Sequence, residues 1–376
     1  MALLDEIPLV DHHCHPVVVD PLDRDEFELL LTEAPQRGPT SEFDSQVGLA
    51  VRRWCAPVLD LDPHVDPDAY LARRQDLGPG EATRRLLRAC GASDLLVDTG
   101  LHSPGLCDLH ELASLAAART HEVTRVESVA EQLAAGVTAA RFGAAVAETL
   151  AEHASRSIAF KTIAAYRVGL DLPEVAPPRR EVELAAGRWL AECERTGTYR
   201  LDDPTLVAHG VHSCLPLGLP IQVHTGYGDP DLTLHRSDPS LLMPFLRAQS
   251  GQVVLLHCYP YHRQAAYLAN VFPHVALDVS LAVNHVGPRA AAVLAETLEL
   301  APFGSLLYAS DGYGLPELHY LGAVLFRRAL GAVFDDWIAE DALTGADALR
   351  FARMIATDNA HRIYPLEQGS PQTITT

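Results

Sequence analysis

Several features that are typical of other protein classes are missing from this sequence of 376 residues. No uncharged apolar run approaches the roughly 20 residues that span a bilayer, which argues against a membrane protein. The seven cysteines include no C-x-x-C pair, which favours reduced thiols in a cytoplasm over a disulfide framework. Only 29 basic residues accompany 49 acidic ones, and the resulting net charge of -20 disfavours nucleic-acid binding. We therefore expect a soluble, cytoplasmic protein that acts on a small molecule.

Lysine is almost absent, because all but one of the 29 basic residues are arginines and the exception is Lys161. Arginine stays protonated, whereas a buried lysine amine can lose its proton and become a neutral ligand or nucleophile. Lys161 lies in the apolar, strand-like run 158–163, which is untypical of a surface lysine. We expect a functional role for it, with chance survival of one lysine as the alternative.

Short β-rich runs recur along the chain and are mostly separated by helix-like segments. Nearly continuous apolar runs are typical of parallel strands that are buried on both faces. Eight such strands predict an α/β fold, the (β/α)8 TIM barrel. An open parallel sheet is the alternative, but no G-x-G-x-x-G follows the first strand. The predicted strands are 7–12, 95–99, 123–127, 158–163, 221–224, 253–257, 275–279 and 306–311.

The longest segment beyond what a plain barrel needs lies between the first two predicted strands. Residues 24–92 read as a largely helical insertion with proline-rich breaks at 35–39, 57–67 and 79. We expect this insertion above or beside the barrel, where it can cover the site. Residues 1–365 are then one domain, and the polar segment 366–376 is a flexible C-terminal tail.

Side chains that can bind a metal ion occur at the carboxyl ends of several predicted strands. His13 and His15 follow the first strand, and alternate strand residues share a face. Barrel enzymes place their sites at the carboxyl ends of the strands, so these side chains are expected to converge at one mouth. The candidate ligands are His13, His15, Lys161, His224, His257 and Asp311.

Imidazole and carboxylate ligands suit zinc, and also manganese, iron or nickel. If neutral Lys161 adds carbon dioxide, the N-carboxylated lysine can bridge two cations; without it, one cation suffices. Asp311 is the candidate general base, and His257 is either a second-metal ligand or the group that polarises a carbonyl. A metal-free aldolase with Lys161 as its Schiff-base nucleophile is a further alternative, but it leaves the histidines unexplained.

The motifs at residues 13–15, 224–226 and 310–312 resemble the amidohydrolase superfamily, in particular amidohydrolase family 2. Residues 160–170, 224–229 and 256–261 are similar to the amidohydrolase-related N-terminal domain of FluG/nodulin-type proteins, which are often fused to a glutamine synthetase-like domain. The resemblance implies a metal-dependent hydrolase on a (β/α)8 barrel that cleaves an amide, C–N or related bond. With 376 residues the chain has no room for a synthetase domain, so functions tied to the fusion are not expected to carry over.

Other functions and contacts remain open. A non-oxidative decarboxylase or a sugar-acid isomerase can use one metal on the same barrel, and a catalytically silent binding module is an alternative of another class. Arg167 can clamp a substrate carboxylate, with a salt bridge to the insertion as the alternative. A homo-oligomer such as a dimer is expected. The candidate substrate-binding residues are Arg167, Tyr227, Asp229, Arg236 and His319.

Overall fold

A computed structural model describes residues 4, 6–101 and 103–366 of the protein. Seven strands form one parallel sheet, in which each strand pairs with the next along the chain. This order is that of a barrel rather than of a doubly wound sheet. The strands are β1 (Leu9–Cys14), β2 (Ala92–Asp98), β3 (Arg119–Arg125), β4 (Ser157–Thr162), β5 (Ile221–Thr225), β6 (Val253–His257) and β7 (Val275–Leu277).

The eighth predicted strand, 306–311, lies between β7 and β1. On one side Leu307 donates its backbone N–H to the carbonyl of Leu277 in β7, at 2.9 Å. On the other side Asp311 donates to the carbonyl of His13 in β1, at 3.1 Å. The segment pairs too irregularly to form a continuous ladder, but it joins the two edges of the sheet. The predicted (β/α)8 architecture is confirmed.

Helices surround the strands. The α-helices are α1 (Arg24–Leu29), α2 (Gln46–Ala50), α3 (Ala56–Val58), α4 (Pro67–Leu77), α5 (Pro79–Ala89), α6 (Leu109–Ala116), α7 (Val126–Leu133), α8 (Ala139–His153), α9 (Ala164–Arg167), α10 (Arg179–Thr196), α11 (Pro204–Cys214), α12 (Met243–Ala248), α13 (His262–Val271), α14 (Ala282–His285), α15 (Ala290–Thr297), α16 (Pro316–Ala339), α17 (Gly345–Arg353) and α18 (Asn359–Ile363). The π-helices are Val51–Cys55 and Met354–Asp358, and the 3-10 helices are Glu42–Asp44, Ala134–Gly136, Leu215–Leu217, Leu234–Ser237, Pro239–Leu242 and Gly287–Arg289.

The insertion is helical, as predicted, and local chemistry explains where two of its helices begin. Pro67 and Pro79, predicted as breaks, occupy the first positions of α4 and α5, where a missing N–H costs nothing. Helix α5 packs against α6 and α16, so the last part of the 24–92 segment belongs to the outer helical ring. The buried Glu317 of α16 accepts a hydrogen bond from Arg74 of α4 at 2.8 Å. This bond anchors α4, the helix before α5, to the barrel.

The end of the barrel opposite the site is filled by apolar side chains and by the C-terminal segment. Val10 of β1, Val254 of β6 and Tyr364 belong to one buried cluster. Leu366 is also buried there, so the tail predicted from 366 does not begin at that residue. The rest of the predicted tail, 367–376, lies outside the described residues.

Two further observations concern the cysteines and the lengths of the helices. All seven cysteines are buried and none forms a disulfide with another. Among the described residues, no helix is both long enough and apolar enough to cross a membrane.

Candidate active site

A cavity of about 710 Å3 opens at the carboxyl ends of the strands. Residues 29, 30 and 32–35 of the insertion form part of its wall, so the insertion does cover the site. Five of the six predicted ligands line the cavity, each from a different strand end. They are His15, Lys161, His224, His257 and Asp311.

The sixth predicted ligand, His13, is fully buried and contacts the same group of side chains. Its Nε2 lies 3.4 Å from Asp311 Oδ1, and His15 Nε2 lies 3.6 Å from the same oxygen. Burial raises the pKa of the Asp311 carboxyl, but its interactions with His257, His13 and His15 outweigh that effect. They hold the pKa of the Asp311 carboxyl well below its usual value, so the group is a carboxylate.

Lys161 lies inside this cluster, with only 2% of its surface exposed. Its Nζ is 3.1 Å from His13 Nε2. Burial lowers the pKa of Lys161 to about 8, although the charges of Asp98 and Asp311 oppose the shift. Burial and the neighbouring lysine also lower the pKa of His13 to about 3, which keeps the imidazole neutral. The His13 imidazole is thus in the uncharged form that binds metal ions, and the Lys161 amine loses its proton more readily than an exposed lysine does.

His224 of β5 and His257 of β6 face each other, with their ring centroids 4.5 Å apart. His257 Nδ1 lies 2.8 Å from Ser280 Oγ and 3.2 Å from Asp311 Oδ2. His224 Nε2 is buried and has no hydrogen-bond partner among the described residues. A buried nitrogen without a partner is costly, and a bound cation would satisfy it.

Hydrogen bonds behind the cluster determine which ring nitrogens point toward it. Gln222 donates from its amide nitrogen to the carbonyl of His12 at 2.7 Å, so its Oε1 must face His13 Nδ1, at 2.8 Å. His13 therefore carries its proton on Nδ1 and presents an unprotonated Nε2. Ser280 Oγ donates to Asp278 Oδ1 at 2.6 Å, so it accepts from His257 Nδ1, which leaves Nε2 of that ring unprotonated as well.

The backbone is strained at two of the candidate ligands. His257 has a φ of +66° and Asp311 has a φ of +50°, values that residues other than glycine rarely adopt. Asp278 Oδ1 accepts from the His257 N–H at 2.9 Å and holds this turn. Strain of this kind persists where the surrounding structure fixes it, and it clusters at functional sites.

The candidate substrate-binding residues differ in where they lie. Arg167 and Asp229 line the cavity. Arg167 forms an ion pair with Glu131 of α7 at 3.1 Å, and not with the insertion. Tyr227 and Arg236 lie outside the cavity wall, with the Tyr227 ring 5.7 Å from that of His285.

His319 is buried in α16 behind the site and is also absent from the cavity wall. Neither of its ring nitrogens has a hydrogen-bond partner among the described residues. The structure therefore brings together the six candidate ligands, Arg167 and Asp229, and separates the other three candidates from the cavity.

Sequence analysis missed several polar residues of the cavity wall and its support. Arg125 ends β3 and lines the cavity, and Asp98 ends β2 beside it. The rule that identified the histidines, a polar residue at the carboxyl end of a strand, also applies to both. Glu33 lines the cavity from the insertion, and burial raises its pKa to about 7, helped by the charges of Asp311 and Asp229. No sequence pattern pointed to Glu33.

The residues present fit a divalent metal ion. Ligand atoms of His13, His15 and Asp311 lie within 4.8 Å of one another. Neutral imidazole nitrogens and a carboxylate are ligands of zinc and related cations, and the unpartnered His224 nitrogen adds a fourth donor to the same cavity.

The sequence of this chain is similar to those of known proteins. The sequence matches the family described as Amidohydrolase over residues 10–366. The chain belongs to the amidohydrolase family. Protein fluG from Emericella nidulans is 28% identical to this amidohydrolase over 414 aligned residues, which cover 98% of the chain and 47% of the fungal protein. The chain thus spans about half the length of that relative, consistent with its resemblance to one part of the FluG/nodulin-type proteins.

Solved structures share the fold of this amidohydrolase. An inferred metal-dependent hydrolase from Lactobacillus casei ATCC 334 is 30% identical, with a TM-score of 0.84 and coverage of 96% of both chains. The uronate isomerase from Thermotoga maritima has a TM-score of 0.60 at 13% identity, also over 96% of both chains. At that identity the isomerase shares the barrel, and its reaction cannot be transferred.

Proposed function

We propose that this protein is a metal-dependent hydrolase that uses an activated water to cleave an amide, another C–N bond or a related bond of a small substrate. The convergence of His13, His15 and Asp311 in one cavity carries the proposal. Lys161, with its Nζ 3.1 Å from His13 Nε2, adds a buried amine whose pKa burial lowers to about 8. Such a donor set is suited to holding a cation.

Zinc is the proposed metal, because nitrogen ligands outnumber oxygen ligands here. When bound, such a cation lowers the pKa of its water to about 7 and polarises the scissile carbonyl. One cation needs His13, His15, His224 and Asp311. A second would be held by His257 and by Lys161 in its N-carboxylated form.

The side chains around the cavity have separate roles in the proposed hydrolysis. Asp311 accepts the proton of the attacking water and delivers it to the leaving group, for which its carboxylate form is required. His257 keeps its proton on Nδ1, bound to Ser280, so its Nε2 is a better ligand than a proton donor. The insertion residues on the wall reduce access of bulk water, which strengthens the electrostatic interactions in the cavity.

Elemental analysis of protein purified without chelator, combined with a hydrolysis assay, tests the proposal. The wild type is expected to hold one or two divalent cations per chain. On a panel of small amides, Asp311→Asn should lower kcat by a factor of about 100 to 10,000, the range for a lost general base. Lys161→Ala should lose part of the metal if the lysine is a ligand.

Product masses separate hydrolysis from the alternatives on this barrel. Addition of water to the substrate supports hydrolysis. Loss of carbon dioxide would instead indicate a decarboxylase, and conversion without a change of mass an isomerase. Correctly folded protein that never met a chelator and yet contains no metal would contradict the proposal and favour a silent binding module.

A further inference from the structure

Arg125 brings a fixed positive charge into the cavity beside the candidate metal ligands. It ends β3 and is the register partner of Lys161 in β4, so the two side chains start from neighbouring positions. Its side chain is 10% exposed and lines the cavity. An arginine so deeply placed keeps its charge and needs a negative partner.

Asp98 supplies part of that partnership and fixes the orientation of the guanidinium. Its Oδ2 accepts from Arg125 Nε at 3.1 Å and from Nη2 at 2.7 Å, and its Oδ1 accepts from the Gly100 N–H at 2.8 Å. Gly100 is needed there, because a Cβ at this position would overlap the Arg125 side chain. The carboxylate, the guanidinium and the glycine thus form one rigid unit at the ends of β2 and β3.

The Asp98 contacts use one edge of the guanidinium and leave another free. Nε and Nη2 face Asp98, whereas Nη1 makes no hydrogen bond within the described part of the chain. The Nη1 and the remaining Nη2 proton form a pair of parallel donors, the arrangement that binds a carboxylate through both oxygens.

Arg167 and Arg200, the other arginines of the wall, are less suitable. Arg167 Nη2 is bound to Glu131 at 3.1 Å, and its Nε is buried with no hydrogen-bond partner among the described residues. Arg200 is 38% exposed and is already bound to Asp231 at 2.9 Å and to the Tyr166 carbonyl at 3.2 Å. Neither has the direct strand register with Lys161 that Arg125 has.

We propose that Arg125, held by Asp98, binds a carboxylate of the substrate and restricts the site to anionic small molecules. The inference rests on the proposed function, since it concerns the substrate of the same cavity. Arg125 thus takes the role of carboxylate anchor that the sequence had suggested for Arg167. Arg125 orients the substrate so that the bond to be cleaved lies at the cluster of His13, His15 and Asp311.

Titration calorimetry on the metal-loaded protein tests the inference without requiring turnover. The probes are malonate, succinate and glutarate, each compared with its uncharged diamide. The wild type is expected to bind at least one dicarboxylate more tightly than its diamide. Arg125→Gln should weaken that binding between about tenfold and a hundredfold, as expected for lost hydrogen bonds to a charged group. Arg167→Gln is the matched control and should change it less than about threefold.

A second variant is included because Asp98 loses its partner in Arg125→Gln, and its unpaired charge could prevent folding. Asp98→Asn combined with Arg125→Gln removes both charges and should fold while losing the dicarboxylate preference. Any of three results would overturn the inference. Arg167→Gln could weaken dicarboxylate binding as much as Arg125→Gln does, the double variant could bind the dicarboxylate as the wild type does, or the wild type could show no preference for the acids over the diamides. Metal content is measured in parallel, so a wild type that prefers the acids but lacks metal would contradict only the hydrolase proposal.

Discussion

Replacing Gln222 with leucine is expected to lower metal affinity and stability together. The fully buried Gln222 side chain bonds His13 Nδ1 at 2.8 Å, the His12 carbonyl at 2.7 Å and the Tyr364 hydroxyl at 3.0 Å. Leucine has a similar size but makes none of these bonds. The His13 ring then loses the acceptor that fixes its proton on Nδ1 and its Nε2 toward the site.

The structure sets the size of both effects. Three lost hydrogen bonds, at about 1 kcal/mol each, should lower the free energy of unfolding by about 3 kcal/mol. Loss of a partner that orients a metal-binding histidine typically lowers metal affinity by about 10- to 100-fold. Zinc affinity is measured by competition with a coloured chelator, and stability by urea unfolding of the metal-free protein.

The variant Gln222→Glu is the matched control for this experiment. Its carboxylate still accepts from His13 Nδ1, so zinc affinity should stay within about threefold of the wild type. It no longer donates to the His12 carbonyl, so part of the stability loss should remain. If Gln222→Leu loses stability but binds zinc as the wild type does, Gln222 does not orient His13 and the reasoning is wrong.

Three further predictions concern the anchor of the insertion, the buried lysine and the loop after β5. Glu317→Ala leaves the charge of Arg74 buried without its partner and should lower the free energy of unfolding by about 3–5 kcal/mol, measured by urea unfolding; a change below about 1 kcal/mol would contradict the anchor. In metal-free protein, the lowered pKa of Lys161 means that the unfolded chain binds more protons between about pH 8 and 10.5. The free energy of unfolding of wild type relative to Lys161→Met should therefore rise by about 3 kcal/mol across that range, and a flat difference would refute the burial of a neutral amine. Gly226→Ala places a Cβ against the Tyr259 carbonyl at a φ of +75° and should reduce zinc content and thermal stability, whereas an unchanged melting temperature would exclude this constraint.

The sequence by itself determined the barrel and the candidate ligands for one physical reason. In a barrel of parallel strands, every carboxyl end lies at the same mouth, so the position of a residue along its strand is enough to place it. His224 and His257 are the clearest cases, because each lies at the end of an apolar run that becomes a strand. Lys161 was identified by its uniqueness and by its apolar neighbours, which become the buried strand β4.

Only the tertiary structure decided which residues outside the strand ends reach the cavity. Asp229 and Tyr227 are two residues apart in the loop after β5, yet only Asp229 lies on the cavity wall. The path of such a loop depends on contacts with other parts of the chain, as when Tyr227 donates its N–H to the carbonyl of Tyr259, beyond β6, at 2.6 Å. Hydrophobic periodicity carries no information about contacts of this kind.

The partners of the candidate ligands were also decided by the tertiary structure. Gln222 lies in β5 and supports His13 of β1, which is 209 residues away along the chain. Arg125 acquires its free donor edge only because Asp98 of the neighbouring strand occupies the other one. Strand ends are encoded locally and can be read from the sequence. The bonds that orient their side chains come from a neighbouring strand, as for Asp98 and Arg125, or from across the barrel, as for Gln222 and His13. Only the folded barrel brings these strands together.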